Sequence, residues 1–589
     1  MSDEYDVIIK DSVIVDGTGA LSFKGEVAVR GDRIAEVANG TSLKGDAKFV
    51  IDGKGLVLTP GFVDVHNHVD LSILYYPKCE SFVRQGITSF VGGHCGNSTG
   101  PYGDLIGEPW FLMDLYEDVR PGMYRNEWQI PKSLLNPRHK EVYGWELDWG
   151  TMGQFFKHVE ETGHSINFSP LVGHGDIRTL VMGTDYKRKA TPEEIEEMVK
   201  HARQAMEDGC IGVSVGRTYV PGNYASFEEI LACAKVAAEY GGIYTSHSLR
   251  SDRPMEEGKE PPVNPIAGPL EAIDIARKAG LPVQISHLGN GFAIQPAKNR
   301  MVEEASVKAT LKVIDDAQEE GLDINFDVIP HHNTGGIFTS PWLAGILNPW
   351  LKLSGSFEQF SENLKKGDLR KEIEAKVNEG KILMLNPKRF PDWAEMVYVR
   401  QSEVEEYVNK SLDEIAKEME KEPLDALMDV LVADPRAKYE RIREKEDWAK
   451  LEYYKHPAVM IGCDTFAVDD KEVLRHPSWF FPNQNAFGGM LFYLRRTVRE
   501  AKVLTLEEAI RKITSQSARK HLMKDRGTVK VGAYADLVLM DPETASDMGG
   551  QLEPRRYPTG IEHVFVNGVQ VVKKGQHTDV MPGRILYRE

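Results

Sequence analysis

Eight short apolar runs, most of them separated by helical text, constrain this chain more than any other feature. They lie at residues 61–65, 88–91, 166–172, 211–215, 243–246, 283–286, 324–328 and 458–461. Runs so rich in consecutive apolar residues suit parallel strands buried on both faces. The text between them is helix-like, as at 192–199 and 227–236. Eight strands alternating with helices predict an α/β fold, a (β/α)8 barrel of the TIM type.

The two ends of the chain read differently. Period-two alternation punctuated by glycine fills residues 6–10, 12–16, 26–30, 33–37 and 49–52, and again 535–540, 563–567 and 570–573. This is the pattern of short antiparallel strands. Two such blocks at opposite ends are most simply one β-sandwich built from both termini, since chain ends often lie close together. The expected organisation is therefore an N-terminal part of the sandwich at 1–58, a catalytic barrel at 59–520 and the C-terminal part at 521–589. Two insertions break the barrel's rhythm. Residues 101–150 are rich in large aromatics: Trp110, Phe111, Tyr124, Trp128, Trp145 and Trp149. Residues 340–455 begin with aromatics and end in a Lys/Glu-rich helical stretch, 412–446. That stretch reads as a solvated helical face, or as a lid, because it enters just before the last barrel strand.

Charge and cysteine content narrow the setting. The chain has 589 residues and a net charge of −18, which argues against nucleic acid and anionic membrane as partners, because both reward basic patches. Its start, MSDEYDVIIK, is acidic and has no secretory pattern, and no apolar run approaches the roughly 20 residues of a membrane span. Five scattered cysteines make no disulfide framework. A reducing cytoplasm is the expected address.

The chemistry sits at the strand ends. Barrel enzymes place their active sites at the C-terminal ends of the strands. His66 and His68 follow the first strand, and residues two apart in extended backbone point to the same side. Cys95 ends the second strand between glycines, where a thiolate can be a metal ligand or a nucleophile and a thiol can simply be buried. His247 and His287 end the fifth and sixth strands in Ser-His pairs. Buried imidazoles there need partners, which a shared metal supplies. Asp464 ends the eighth strand, where an acid can ligate, accept a proton from metal-bound water, or both. The mixture of imidazole, thiolate and carboxylate points to one or two ions, zinc first. His174 on strand three and Tyr219 after strand four either line the pocket or serve the structure. His94 should face away from Cys95.

These residues resemble the amidohydrolase superfamily, and within it the D-aminoacylase (N-acyl-D-amino-acid deacylase) family. The likeness runs over most of the chain. It includes Leu58-Thr-Pro-Gly-Phe-Val-Asp-Val-His-Asn-His68, His94-Cys-Gly-Asn-Ser98, Gly173-His-Gly-Asp-Ile-Arg178, Ser246-His247, Ser286-His287-Leu288, Cys463-Asp464 and Val531-Gly-Ala-Tyr-Ala-Asp-Leu537. The resemblance implies zinc-dependent hydrolysis of C–N amide bonds in a small molecule. It implies a tight site of Cys95, His247 and His287, a second site of His66, His68, Cys95 and Asp464, and Asp464 as general base and then acid. The carboxylated lysine that related cyclic-amide hydrolases use as a bridging ligand on strand four has no counterpart in 211–215. Three departures stand out: Gly289 where the family has Lys, His331 where it has Tyr, and Ser478 where it has Arg. Those lost groups bind a substrate carboxylate in the family, and Arg250, Arg217 or His331 are the residues here that could compensate. The expectation is retained chemistry on a changed substrate: a neutral, aromatic or cyclic amide. Cyclic-amide hydrolysis (hydantoinase, dihydropyrimidinase or lactamase type) and deamination remain open on the same residues, and so does assembly into a homo-oligomer.

Overall fold

A computed structural model gives the architecture. It describes residues 5–107, 115, 129–249, 264, 266–288, 300–331, 347, 350–351, 353–379, 391–442, 448–471 and 482–588. Each of the eight apolar runs is a strand: Phe62–Asp64, Ile87–Gly92, Asn167–Gly173, Gly212–Gly216, Ile243–His247, Val283–Ile285, Ile324–Val328 and Val459–Ile461. They pair in parallel and in chain order. The ring is drawn shut where Val65 N–H donates to Ile461 O at 3.4 Å, and just beyond, Asp464 N–H donates to His66 O at 2.7 Å. The helices between them start as local sequence dictates. Thr151 and Thr191 each open a helix with a capping box, closed by Gln154 and Glu194, and Pro192 sits at the first helical turn, where its missing N–H is no loss.

Both termini build a second, nine-stranded sheet. Residues 6–10 and 12–16, read as two strands, are one bulged strand, Tyr5–Ile14. Its register slips between Ile9 and Ser12, around Asp11 at φ +55°. The sheet is mixed, not purely antiparallel: Tyr5–Ile14 pairs in parallel with Ala47–Asp52 and Val57–Pro60. The intervening hairpin, Phe23–Arg30 with Arg33–Asn39, supplies the long return that a parallel pairing needs. Val57–Pro60 also pairs antiparallel with Leu537–Met540 of the C-terminal block. One residue later the chain enters the barrel. Gly61 makes that passage, since a Cβ there would lie 2.0 Å from Thr88 Oγ1.

The long insertion differs from its sequence reading. Leu347, Trp350, Phe360, Leu412, Leu427 and Tyr439 belong to a hydrophobic core separate from the barrel's. The Lys/Glu-rich stretch is not one helical run: it holds helices Leu412–Glu418 and Pro423–Ala433, then strand Lys438–Arg441 paired with Val397–Gln401. Glu414, Lys417 and Glu418 do face solvent, but Asp434 and Glu440 are buried, and each helix buries an apolar stripe, Leu412 and Ile415 on the first and Leu427 and Val430 on the second. Residues 443–446 lie outside the described residues. So do Trp110, Phe111, Tyr124 and Trp128 of the other insertion, whose Trp149 is buried beside Phe155. No helix among the described residues is long and apolar enough to cross a membrane.

Candidate metal centre

Six side chains from five strand ends meet at one mouth of the barrel. In one group, ligand atoms of His66, His68, Cys95 and Asp464 lie within 4.8 Å of one another; in a second, those of Cys95, His247 and His287 do. Cys95 belongs to both. Its Sγ is 3.4 Å from His66 Nε2, 3.4 Å from His247 Nδ1 and 3.9 Å from His287 Nε2. His287 Nε2 is 2.7 Å from His247 Nδ1, and Asp464 Oδ1 is 3.2 Å from His68 Nε2 and 3.5 Å from His66 Nε2. The strand ends do this because each ligand is the last residue of its strand or lies just past it.

Backbone strain marks the same positions. Cys95 (φ +58°), His287 (φ +38°) and Asp464 (φ +46°) all occupy the left-handed region, which costs a residue with a side chain on the order of 1–3 kcal/mol and clusters at functional sites. Gly462 makes room for the first strand, since a Cβ on it would lie 2.3 Å from His66 Cβ.

Burial and mutual charge set the electrostatics of these groups. Burial pushes the Cys95 thiol up to about 11, opposed by His66. Burial disfavours a charge on His66, yet Asp327, Cys95 and Asp464 around it win and raise its pKa well above the ordinary value. Burial lowers that of His68. For Asp464 burial works upward, but His66, His68 and His287 hold the carboxyl far below the usual range, so it is an ionised acceptor. Its side chain is 15% exposed where those of His66 and His68 are 0% and 3%, which leaves it the group open to an incoming substrate. Two imidazoles and a thiol, and two imidazoles, a thiol and a carboxylate, are donor sets that hold divalent metal.

A second layer orients these groups. Thr218 Oγ1 is 2.6 Å from His247 Nε2. Asp327 Oδ1 accepts from the His287 N–H at 2.8 Å, and its Oδ2 is 3.3 Å from His66 Nδ1. Gln284 Nε2 donates to Asp327 Oδ2 at 2.5 Å, and Gln284 Oε1 is 2.5 Å from His521 Nε2. Asp64 accepts from the N–H groups of His66 and Cys463, and burial pushes it up to about 7. Sequence reading assigned none of these a role. Asp327 and Gln284 could have been noticed as polar interruptions of apolar strands; His521 carries no such signal.

The remaining expected site residues divide. Tyr219 lies with its ring 4.3 Å from that of His247 and lines a small cleft with Cys95, Gly96, Asp176 and Pro221. His174 is in neither group. Its Nε2 is 2.9 Å from Glu229 Oε1, and Glu229 is ion-paired with Arg178, all three buried. His94 stacks on His66, ring centroids 4.2 Å apart. His331 packs on Phe492 at 3.9 Å, and burial, Lys450 and Arg495 push it down to about 3, so it is neutral. Arg217 is committed to Glu271 and to the carbonyls of Gly222 and Ala225. Arg250, Gly289 and Ser478 lie outside the described residues.

Comparison with known proteins agrees with this geometry. Residues 401–572 match the amidohydrolase family. The chain is 28% identical over 589 residues to an N-acyl-D-glutamate deacylase of Alcaligenes xylosoxydans xylosoxydans, covering 100% of this chain and 98% of that one. The chain carries an amidohydrolase-family match and is homologous to a deacylase over its whole length. Among solved structures, it is similar to a D-aminoacylase described as having a binuclear metal centre, with a TM-score of 0.70 and 25% identity over 99% of this chain and 100% of that one. It shares its fold with an N-acyl-D-glutamate deacylase of Bordetella bronchiseptica complexed with zinc and a phosphonate inhibitor (TM-score 0.70, 24% identity, 99% of this chain and 100% of that one). It is thus a hydrolase acting on carbon–nitrogen bonds other than peptide bonds.

Proposed function

We propose that this chain holds zinc at Cys95, His247 and His287, with a second position at His66, His68, Cys95 and Asp464, and hydrolyses an amide that lacks the carboxylate of an N-acyl-D-amino acid. The observation that carries the metal reading is the convergence of both groups on one thiol; zinc is the natural ion for that mixture of soft and borderline donors. A bound zinc supplies a lowered pKa for coordinated water and a positive centre for the substrate carbonyl oxygen. Asp464, ionised and partly exposed, takes one proton from the attacking water as its oxygen bonds to the carbonyl carbon. The same carboxyl then delivers that proton to the nitrogen as the C–N bond breaks. Tyr219, lining the cleft beside His247, positions the substrate.

The substrate reading rests on where the described candidate cations are. Arg217 is held by Glu271, and His331 is neutral against Phe492, so neither offers charge to a carboxylate. A charged hydrogen bond contributes about 1.5–3 kcal/mol, and with none from these two described candidates a neutral acyl amide is favoured. All five cysteines are buried and free of disulfides, which supports a reducing, cytoplasmic setting.

The test is direct. Zinc-loaded protein is assayed on N-acyl-D-amino acids, neutral aryl amides and cyclic amides, then stripped with chelator and reloaded. Activity should vanish on stripping, return with zinc and be greatest on neutral amides. Asp464→Asn should keep zinc while losing about 10²–10⁴-fold in kcat. Chelator-insensitive turnover would point to Cys95 as a nucleophile and sink the metal reading; a clear preference for acyl-D-amino acids would sink the substrate reading alone.

A further inference from the structure

Asp327 belongs to neither convergent group, yet it touches both. It sits on the seventh barrel strand, Ile324–Val328, and is fully buried. Through Oδ2 it faces Nδ1 of His66, from the first group; through Oδ1 it accepts from the backbone N–H of His287, from the second. A neutral imidazole offers one lone pair, and the bond made by its other nitrogen decides which one. With Nδ1–H directed at Asp327, His66 presents Nε2 to Cys95 and Asp464, the atoms it must meet. His287 needs a different kind of help. Its backbone at φ +38° is in a region that side-chain-bearing residues avoid, and the bond from its N–H to Asp327 ties that conformation down.

Asp327 is itself held. Gln284 Nε2 donates to its Oδ2 and also lies 3.2 Å from Val65 O, on the first strand's end. Gln284 Oε1 meets His521, whose Nδ1 is 2.8 Å from Ser517 O. The chain of contacts therefore runs from the helix Ser515–Lys520, which follows the last barrel strand, through the barrel interior to both groups.

We propose that Asp327, braced by Gln284 and His521, is the positioning residue that keeps the two ligand groups in register about their shared thiol. The proposal rests on the metal reading above. It concerns ligand geometry and not the chemical step, so its test reads metal binding first. Purified wild type, Asp327→Asn and Gln284→Leu are compared for zinc affinity by competition with a chromophoric chelator, for the thiolate absorption of the cobalt-substituted proteins, and for the melting temperature of the metal-free proteins.

Three donors converge on Asp327, and an asparagine has a single acceptor oxygen to offer them. Asp327→Asn should therefore weaken zinc binding roughly 10–100-fold, the usual effect of losing a partner behind a metal ligand, and shift the cobalt spectrum. Gln284→Leu removes one neutral bond to the carboxylate and should weaken zinc about fivefold; it also decides the matter if Asp327→Asn does not fold. If either folded variant binds zinc as wild type does, with the same cobalt spectrum and only a lower melting temperature, Asp327 is merely structural and the proposal is overturned. Wild type that takes up no zinc at all would instead overturn the metal reading.

Discussion

The barrel mouth carries two clusters of buried polar groups that differ in how they are neutralised. Around strands three and four, His174, Glu229 and Arg178 form an ion-paired set: a cation, an anion and an imidazole bonded to it. A terminal nitrogen of Arg178 also donates to the carbonyls of Tyr186 and Arg188. Around strands one, two, five, six and eight, four imidazoles, a thiol and the Asp464 carboxylate form two groups that share Cys95. The first set carries its own cation and anion, whereas the second is a donor set of the kind that holds divalent metal. A buried histidine at a strand end therefore says little until its neighbours are known. What faces its nitrogens separates a ligand from a brace.

Four experiments sharpen or break that contrast. The largest effect should come from Cys95→Ala, which removes the atom common to both groups; loss of bound metal together with about 10⁴-fold or more in kcat/KM, some 5.5 kcal/mol of barrier, is expected, read by metal analysis and rate assay. Metal retention would show that the groups are independent. Next is Glu229→Gln, which strands Arg178 in the interior and should destabilise the fold by about 3–5 kcal/mol while leaving zinc content unchanged. Burial works to raise the Glu229 pKa, but His174 and Arg178 bring it down to about 2 from 4.5. Because the folded value is the lower one, this group's stabilisation is complete above about 4.5 and is lost as pH falls toward about 2. Denaturant melts across that window should therefore be flatter for the Gln variant. Third, Gly462→Ala pushes a methyl against His66 and should cost about 1–3 kcal/mol, with weaker zinc binding as the sign that strain reaches the ligand. The smallest expected change is Thr218→Val, which removes the bond to the outer nitrogen of His247: about 0.5–1.5 kcal/mol, seen in zinc affinity and not in the melting temperature of metal-free protein.

Legibility followed the range of the interactions. His66, His68, Cys95, His247, His287 and Asp464 could be picked out because each ends an apolar run, and a strand end in a barrel has a known destination. Asp327 and Gln284 interrupt such runs, but nothing local says that they face ligands rather than one another. His521 lies 237 positions from Gln284, and Arg217 meets a Glu271 54 positions away; such pairings are made only when the ring closes. The separate core of the long insertion was hidden for another reason. Its helices are short and heavily charged outside, so composition emphasised the solvent face and concealed the stripe of Leu412, Ile415, Leu427 and Val430.

From the sequence alone came the alternation that makes a barrel, the sheet shared by both termini and the six side chains at the strand ends, because strand periodicity and strand endings are local properties. Tertiary structure alone decided that those six converge on one thiol, that Asp327 ties the two groups together, and that His331 and Arg217 are already engaged. Those outcomes depend on which distant side chains share a buried space, where an unpaired polar group is costly and each must find a partner across the fold.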